Sequence, residues 1–120
     1  MKKFCFTPYP DSILPEGFLF PKQYRDMSKG VGLPEELAWW FISADSEGGQ
    51  ASWELRSEYG ENWIPFAREG DWAAYFDGND ISGDPCVFVI DLGDEDHVLR
   101  LENFAEWYAI ALEDTKEYLE

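Results

Sequence analysis

The chain has 120 residues, a formal net charge of −16 and 18% aromatic residues. A chain of this length forms one domain and buries roughly two thirds of its unfolded surface, so it can build a core without disulfides or metals. The negative field argues against binding to nucleic acid or to an anionic membrane, and it favours contact with basic protein surfaces.

The acidic residues are concentrated in the C-terminal half. Residues 1–60 contain nine acids and six bases, whereas residues 61–120 contain sixteen acids and three bases. Two interpretations stay open at this point. The acids could form an ordinary soluble surface, or they could attract a basic partner.

The cysteine pattern and the N-terminus bear on the cellular compartment. Cys5 and Cys86 each lie beside apolar residues, and no C-x-x-C pattern is present. We therefore predict two free thiols in a reducing compartment. The basic N-terminal start resembles a signal peptide, but Pro8 and Pro10 interrupt its apolar stretch, and no run reaches membrane-spanning length. We expect a cytoplasmic protein.

The first forty residues predict helices separated by irregular segments. Residues 1–32 are expected to be irregular, apart from a short helix that begins at Pro21 and ends at Gly30 or Gly32. Residues 33–42, LPEELAWWFI, predict a second helix. Proline and glutamate suit its first turn, and its apolar residues recur at helical spacing. The SADSEGGQ segment is expected to end this helix.

From Trp53 onward the pattern shifts to strands. The predicted strands are WELRSEY at 53–59, NWIPFAR at 62–68, WAAYF at 72–76, CVFVIDL at 86–92 and HVLRL at 97–101. Because proline has no backbone donor, Pro65 indicates an edge strand or a bulge. The apolar run at 86–92 is expected to be a central strand, joined to the preceding one by a wide hairpin turn.

The last segment predicts a closing helix. Asn103 is a predicted cap, and Glu106 stands three residues later in a capping-box arrangement. Apolar residues then recur at helical spacing. The element order predicts one α+β domain spanning residues 1–120, with its core in residues 33–120. We expect an antiparallel β-sheet of four to six strands, with N-terminal helices and a C-terminal helix packed on it.

Catalytic and metal sites find little support in the sequence. A nucleophilic pair between His97, the single histidine, and Cys86 would have to span a strand about 17 Å long. An EF-hand loop that started at Asp77 would need glycine at its sixth position, where Ser82 stands. We therefore predict no enzyme activity, no metal site and no cofactor. Weak calcium binding and a carboxylate pair in a cleft stay open as alternatives.

The remaining candidate is a surface that contacts a partner. The predicted contact residues are Asp71, Trp72, Tyr75, Asp77, Asp80, Asp84, Asp94, Glu95 and Asp96. The two acidic turns bound the same strand, so they are expected at opposite ends of it, framing one face of the sheet with acid at both rims. Aromatic anchors inside a charged rim are typical of protein interfaces. Each acid could equally be a solvated turn residue.

Residues 33–112 resemble the SUKH superfamily. The resemblance is carried by WIPFAREGDWAAYFDGND at 63–80, DPCVFVIDLGDEDHVLRLENFAEWYAIAL at 84–112 and LPEELAWWF at 33–41. The chain departs from the family pattern before its aromatic strand, because Trp72 stands where many members carry a second glycine.

The resemblance implies an α+β domain with a central antiparallel sheet and without catalytic residues. Most bacterial members of the family look like immunity proteins that bind and neutralise a toxin domain, and fungal relatives look like regulators of cell-wall assembly. The resemblance therefore implies an immunity protein whose target is a basic toxin domain, such as a nuclease. The alternative is a regulatory or scaffold module of the same fold.

Overall fold

The protein combines three α-helices with one antiparallel sheet. The computed structural model describes residues 6–34, 36–56 and 62–119. The helices are α1 (Lys22–Ser28), α2 (Glu47–Leu55) and α3 (Phe104–Leu119), and a 3-10 turn covers Asp11–Ile13. The strands are β1 (Trp40–Phe41), β2 (Trp63–Glu69), β3 (Trp72–Asp77), β4 (Val87–Asp91) and β5 (Asp94–Leu101). They pair in the order β1-β2-β3-β4-β5, so the predicted α+β class is confirmed.

One face of the sheet carries the main core. Phe66 of β2 and Phe76 of β3 stack with their ring centroids 4.1 Å apart, and Phe104 and Trp107 of α3 pack over them. Tyr24 of α1 enters the same cluster. Burying each such ring contributes roughly 1.5–3 kcal/mol, so this face holds the fold together.

The N-terminal segment is part of that core. Six of its apolar side chains are buried there, namely Phe6, Tyr9, Phe18, Phe20, Tyr24 and Met27. The boundary at residue 33 therefore does not separate an irregular segment from the core.

Helix α1 forms where the sequence predicted a short helix. Pro21 stands at its N-terminal cap, and Gly30 ends it with a φ of 91°. The amide of Gly30 donates to Met27 O and that of Val31 donates to Asp26 O, which is the Schellman arrangement. Only glycine adopts this φ without strain, which explains why the helix ends there.

The helix predicted at 33–42 was wrong for the described residues of that segment. They are irregular, with a bend at 38–39, and then form strand β1, in which Trp40 pairs with Arg68 and Phe41 pairs with Ala67. The amide of Ala38 donates to the Thr115 hydroxyl of α3, at 2.9 Å, instead of to a helical carbonyl. A contact made 77 residues away thus overrides the local helical pattern.

The strand predicted at 53–59 was also wrong in its described part. Helix α2 runs from Glu47 to Leu55, and residues 57–59 lie outside the described residues. Ser46 caps the helix by accepting from the amide of Gly49, at 2.9 Å. The Gly48–Gly49 pair, interpreted as a break, is instead the first turn of this helix.

The other strands follow the prediction closely. The register between β2 and β3 shifts between Pro65 and Ala67, which confirms the bulge that Pro65 indicated. The acids of the GDED segment are not all in a turn, because Asp94 already pairs with Asp91 and begins β5. Strand β5 lies at one edge of the sheet, and β4 lies between β3 and β5.

Helix α3 begins at the predicted cap. The Asn103 Oδ1 atom accepts from the amide of Glu106, at 3.0 Å. The Glu106 carboxylate accepts from the amide of Glu102, at 2.9 Å, rather than from that of the capping residue. Among the described residues, no helix is both long enough and apolar enough to cross a membrane.

Candidate protein-binding site at the Asp71 end of the sheet

Two hairpin turns gather acidic residues at one end of the sheet, which we name the Asp71 end. The β2–β3 turn contains Asp71, whose carbonyl accepts from the amide of Leu92 in the β4–β5 turn, at 2.7 Å. Across the strands, Trp72 pairs with Asp91 and Asp91 pairs with Asp94. The fold therefore brings together Asp71, Asp91 and Asp94, of which only Asp71 and Asp94 were predicted from the sequence.

The carboxylates of the Asp71 end are largely uncommitted. Asp71, Asp94 and Asp96 are exposed. Two described bases lie near this end: the His97 Nδ1 is 3.9 Å from Asp94 Oδ2, and the Arg68 side chain donates to Gly70 O, at 2.9 Å, next to Asp71. Asp91 uses one oxygen to accept from the amide of Gly93, at 2.9 Å, which fixes the turn. This end of the sheet thus presents negative charge to the solvent.

The acids of the β3–β4 connection serve the connection itself. Asp77 accepts from the amide of Asn79, at 2.9 Å. Asp80 accepts from the amide of Ser82 at 3.1 Å and from that of Cys86 at 3.0 Å. Hydrogen bonds from Ser82 and then from Cys86 hold the pKa of the Asp80 carboxyl below its usual range. These carboxylates act mainly as turn formers.

The two acidic groups lie at opposite ends of the sheet, as the sequence predicted. Asp84 accepts from the Asn103 side chain, at 3.2 Å, beside the start of α3. That position is next to Val87 and Leu101, at the far end of β4 from Asp91. The candidate residues therefore do not form one surface, and the Asp71 end has the freer carboxylates. Glu95 belongs to β5, and its side chain lies outside the described part of the chain.

The two predicted aromatic anchors lie on opposite faces of the sheet. Successive side chains of a strand alternate between faces, and Trp72 and Tyr75 are three positions apart. Tyr75 is 3% exposed and packs with Ala73 and Ile90 in a small second cluster, so it does not present a contact surface. Trp72 is 36% exposed on the face that carries α3. Only Trp72 fits the predicted role.

Trp72 forms one wall of a groove between α3 and the sheet, which we name the Trp72 groove. The groove has a volume of about 250 Å³. Its lining residues are Trp39, Glu69, Trp72, Val89, Leu99, Leu101, Trp107, Ile110 and Asp114. Three indoles and two carboxylates are therefore combined in one depression that begins beside the β2–β3 turn.

The two carboxylates of the Trp72 groove repel each other. Burial, followed by the charges of Asp114 and Glu117, raises the pKa of Glu69. Asp114 accepts from Trp39 Nε1, at 2.9 Å, which fixes both side chains. Among the described residues, neither Glu69 nor Asp114 forms an ion pair. The groove is thus a concave site with unneutralised negative charge.

Of the nine residues that line the groove, only Trp72 was predicted from the sequence. The aromatic and acidic residues that were missed are Trp39, Glu69, Trp107 and Asp114. Glu69 could have been found, because it flanks the predicted β2–β3 turn and pairs directly with Trp72. Trp107 and Asp114 are seven residues apart and so lie on one side of α3, two turns from each other. Trp39 was assigned to a helix that does not form.

Neither Cys86 nor His97, the two groups that bear on catalysis, lines this groove. Cys86 precedes β4 and receives a hydrogen bond from the Arg100 side chain, at 3.1 Å, while burial raises the pKa of its thiol. A raised pKa disfavours the nucleophilic thiolate. His97 lies toward the other end of β4, near Trp72, with ring centroids 6.2 Å apart. Within the described ranges, no group of three or more His, Cys, Asp or Glu residues could hold a metal ion.

Comparisons of the chain with protein-family models, with curated proteins and with solved structures found no match.

Proposed function

We propose that this chain is an immunity protein that binds and neutralises a bacterial toxin domain with a basic active cleft, such as a nuclease. The observation that carries the proposal is the Asp71 end of the sheet. There, exposed carboxylates of Asp71, Asp94 and Asp96 stand beside the partly exposed ring of Trp72. This is the composition of an aromatic anchor inside a charged rim.

Electrostatics supports the same proposal. A nuclease cleft is basic because it holds phosphate, so an acidic protein of net charge −16 is drawn towards it. Opposed fields raise association rates by about 10- to 1,000-fold at low salt. Once the complex has formed, the Trp72 ring, shielded from water in the interface, would supply most of the binding free energy.

Co-expression with the toxin domain encoded by the adjoining gene tests the proposal. We expect the chain to restore growth and to co-purify with the toxin. The double variant Asp71→Lys/Asp94→Lys should lose protection, because it reverses two charges at the proposed interface. Asp11→Lys/Glu16→Lys makes the same change in net charge on exposed N-terminal residues. It should keep protection, because Pro15, beside them, lies near Gly78, which follows β3 at the other end of the sheet.

The outcomes separate the two candidate functions. If the chain gives no protection and does not co-purify with the toxin, the proposal is rejected. Co-purification without protection would instead favour a regulatory or scaffold module. Equal loss of protection in both double variants would remove the Asp71 end from the interface.

A further inference from the structure

We propose that the Trp72 groove receives a single arginine side chain of the basic partner protein. This inference rests on the proposed function, since it names the contact through which the partner is held. It is carried by a cavity, by its aromatic walls and by its uncompensated carboxylates, which together favour one kind of occupant.

The size of the groove favours one side chain. Its volume of about 250 Å³ lies below the roughly 300 Å³ at which pockets for drug-sized ligands begin. Trp39 and Trp107 form a rigid floor, with their rings at 80° and their centroids 5.5 Å apart. Trp72 stands at the exposed side. An extended, flat group can enter along such walls.

The charge of the groove favours a cation. Glu69 of β2 and Asp114 of α3 both line it, and they are close enough for the charge of Asp114 to act on Glu69. The neighbouring base, Arg68, pairs with Ala73 on the opposite face and donates to Gly70 O, at 2.9 Å. On α3, Lys116 lies beside Glu113, at 3.9 Å. His97 lies beside Trp72, with its Nδ1 3.9 Å from Asp94 Oδ2. Among the described residues, no base forms an ion pair with Glu69 or Asp114.

The combination of indoles and carboxylates favours arginine over lysine. A guanidinium is planar, so it stacks on an aromatic ring and donates to carboxylates through its edge at the same time. An ammonium is compact and strongly hydrated, so it gains less from the exposed indole face of Trp72. Paired hydrogen bonds to Glu69 and Asp114 would also remove the repulsion between these two acids.

The groove can be tested with a small probe. The probe is the peptide acetyl-Gly-Arg-Gly-amide, and the readout is the shift of the indole N–H resonances of Trp39 and Trp72 in NMR titrations. We expect saturable shifts of these resonances, and at least about tenfold weaker binding when citrulline replaces arginine, because citrulline has the same shape without the charge. The lysine peptide should also bind more weakly.

Variants locate the binding in the groove. Glu69→Gln/Asp114→Asn removes both charges while an amide oxygen can still accept from Trp39, and it should weaken arginine binding by about tenfold. Trp72→Ala removes the wall that is already partly exposed, so the core stays closed and binding should also weaken. Asp11→Asn/Glu16→Gln is the charge-matched control outside the groove, and it should bind as the native chain does.

Two results would overturn the inference. One is equal binding of the arginine and citrulline peptides, and the other is unchanged arginine binding in the Glu69→Gln/Asp114→Asn variant. A lysine peptide that binds as tightly as the arginine peptide would overturn the choice of arginine. The proposed function and the arginine site can be rejected independently. Arginine binding without protection from the toxin rejects only the immunity function. Protection without arginine binding rejects only the arginine site in the Trp72 groove.

Discussion

Gly49 and Gly48 are neighbours in the first turn of α2, yet alanine should have opposite effects at the two positions. A Cβ atom on Gly49 would lie 1.8 Å from Ser43 O and 2.7 Å from Ser43 C, both of which are backbone atoms. A Cβ on Gly48 would meet nothing closer than Ser46 Oγ, at 4.0 Å. Only at Gly49 must the helix itself move.

The cost of Gly49→Ala follows from that geometry. To restore an ordinary contact, α2 must move away from Ser43 by about 1.5 Å. Overpacking of this kind costs roughly 1–3 kcal/mol. The hydrogen bond from the Tyr9 hydroxyl to Gly49 O is weakened as well, at a cost of about 1 kcal/mol. The higher helix propensity of alanine offsets about 1 kcal/mol, so we expect a net loss of about 2 kcal/mol.

Urea and thermal denaturation of the two variants measure this difference. Gly49→Ala should lower the midpoint temperature by about 8 °C, given about 4 °C per kcal/mol for a chain of this size. Gly48→Ala should raise the free energy of unfolding by about 0.5–1 kcal/mol, because it is exposed and helical. If both substitutions stabilised the protein equally, the close contact between Gly49 of α2 and the Ser43 backbone would be refuted.

Substitutions at three further positions probe the core, the cap of α3 and the groove, each by urea denaturation. Phe66→Ala should cost about 3–5 kcal/mol, because Phe66 is 0% exposed and stacks on Phe76. Asn103→Ala should cost about 1 kcal/mol by removing the acceptor for the Glu106 amide, whereas Asn103→Ser should restore most of it. Glu69→Gln should raise the free energy of unfolding at pH 7 by about 0.2–1 kcal/mol, because it removes a partly buried charge that Asp114 and Glu117 also repel.

The pH dependence of the Glu69→Gln effect has a definite sign. The folded-state pKa of Glu69 is raised by burial and by Asp114 and Glu117, so its ionised form destabilises the folded protein. That penalty is fully present above the folded-state pKa. It shrinks as the pH falls through this value and is gone below the ordinary glutamate pKa of about 4.3. If Glu69→Gln raised the free energy of unfolding as much at acid pH as at pH 7, the removal of the Glu69 charge could not be the cause.

The strands β2 to β5 and helix α3 could be predicted because their signals are local. Alternation, the Pro65 bulge and the Asn103 cap each act within a few residues. The segment before β1 could not be predicted, because its LPEEL pattern is typical of a helix start. Its geometry is set instead by distant contacts, such as that between the Ala38 amide and Thr115.

The candidate site was predictable in part. Its acidic turns follow from the order of strands, and the parity of strand positions already separates Trp72 from Tyr75. The Trp72 groove required the placement of α3, since Asp114 comes 42 positions after Trp72 and nothing local links the two. The docking of Trp39 likewise depends on its hydrogen bond to Asp114.

The association rate of the protein with its toxin domain, measured by stopped-flow fluorescence at low and at physiological salt, tests the central claim most directly. Asp71→Lys/Asp94→Lys should slow association by about tenfold at low salt and flatten its salt dependence. Asp11→Lys/Glu16→Lys, with the same net charge, should slow association by no more than about twofold. Equal slowing by the two variants would contradict the claim, because the partner would then respond to total charge and not to the Asp71 end of the sheet.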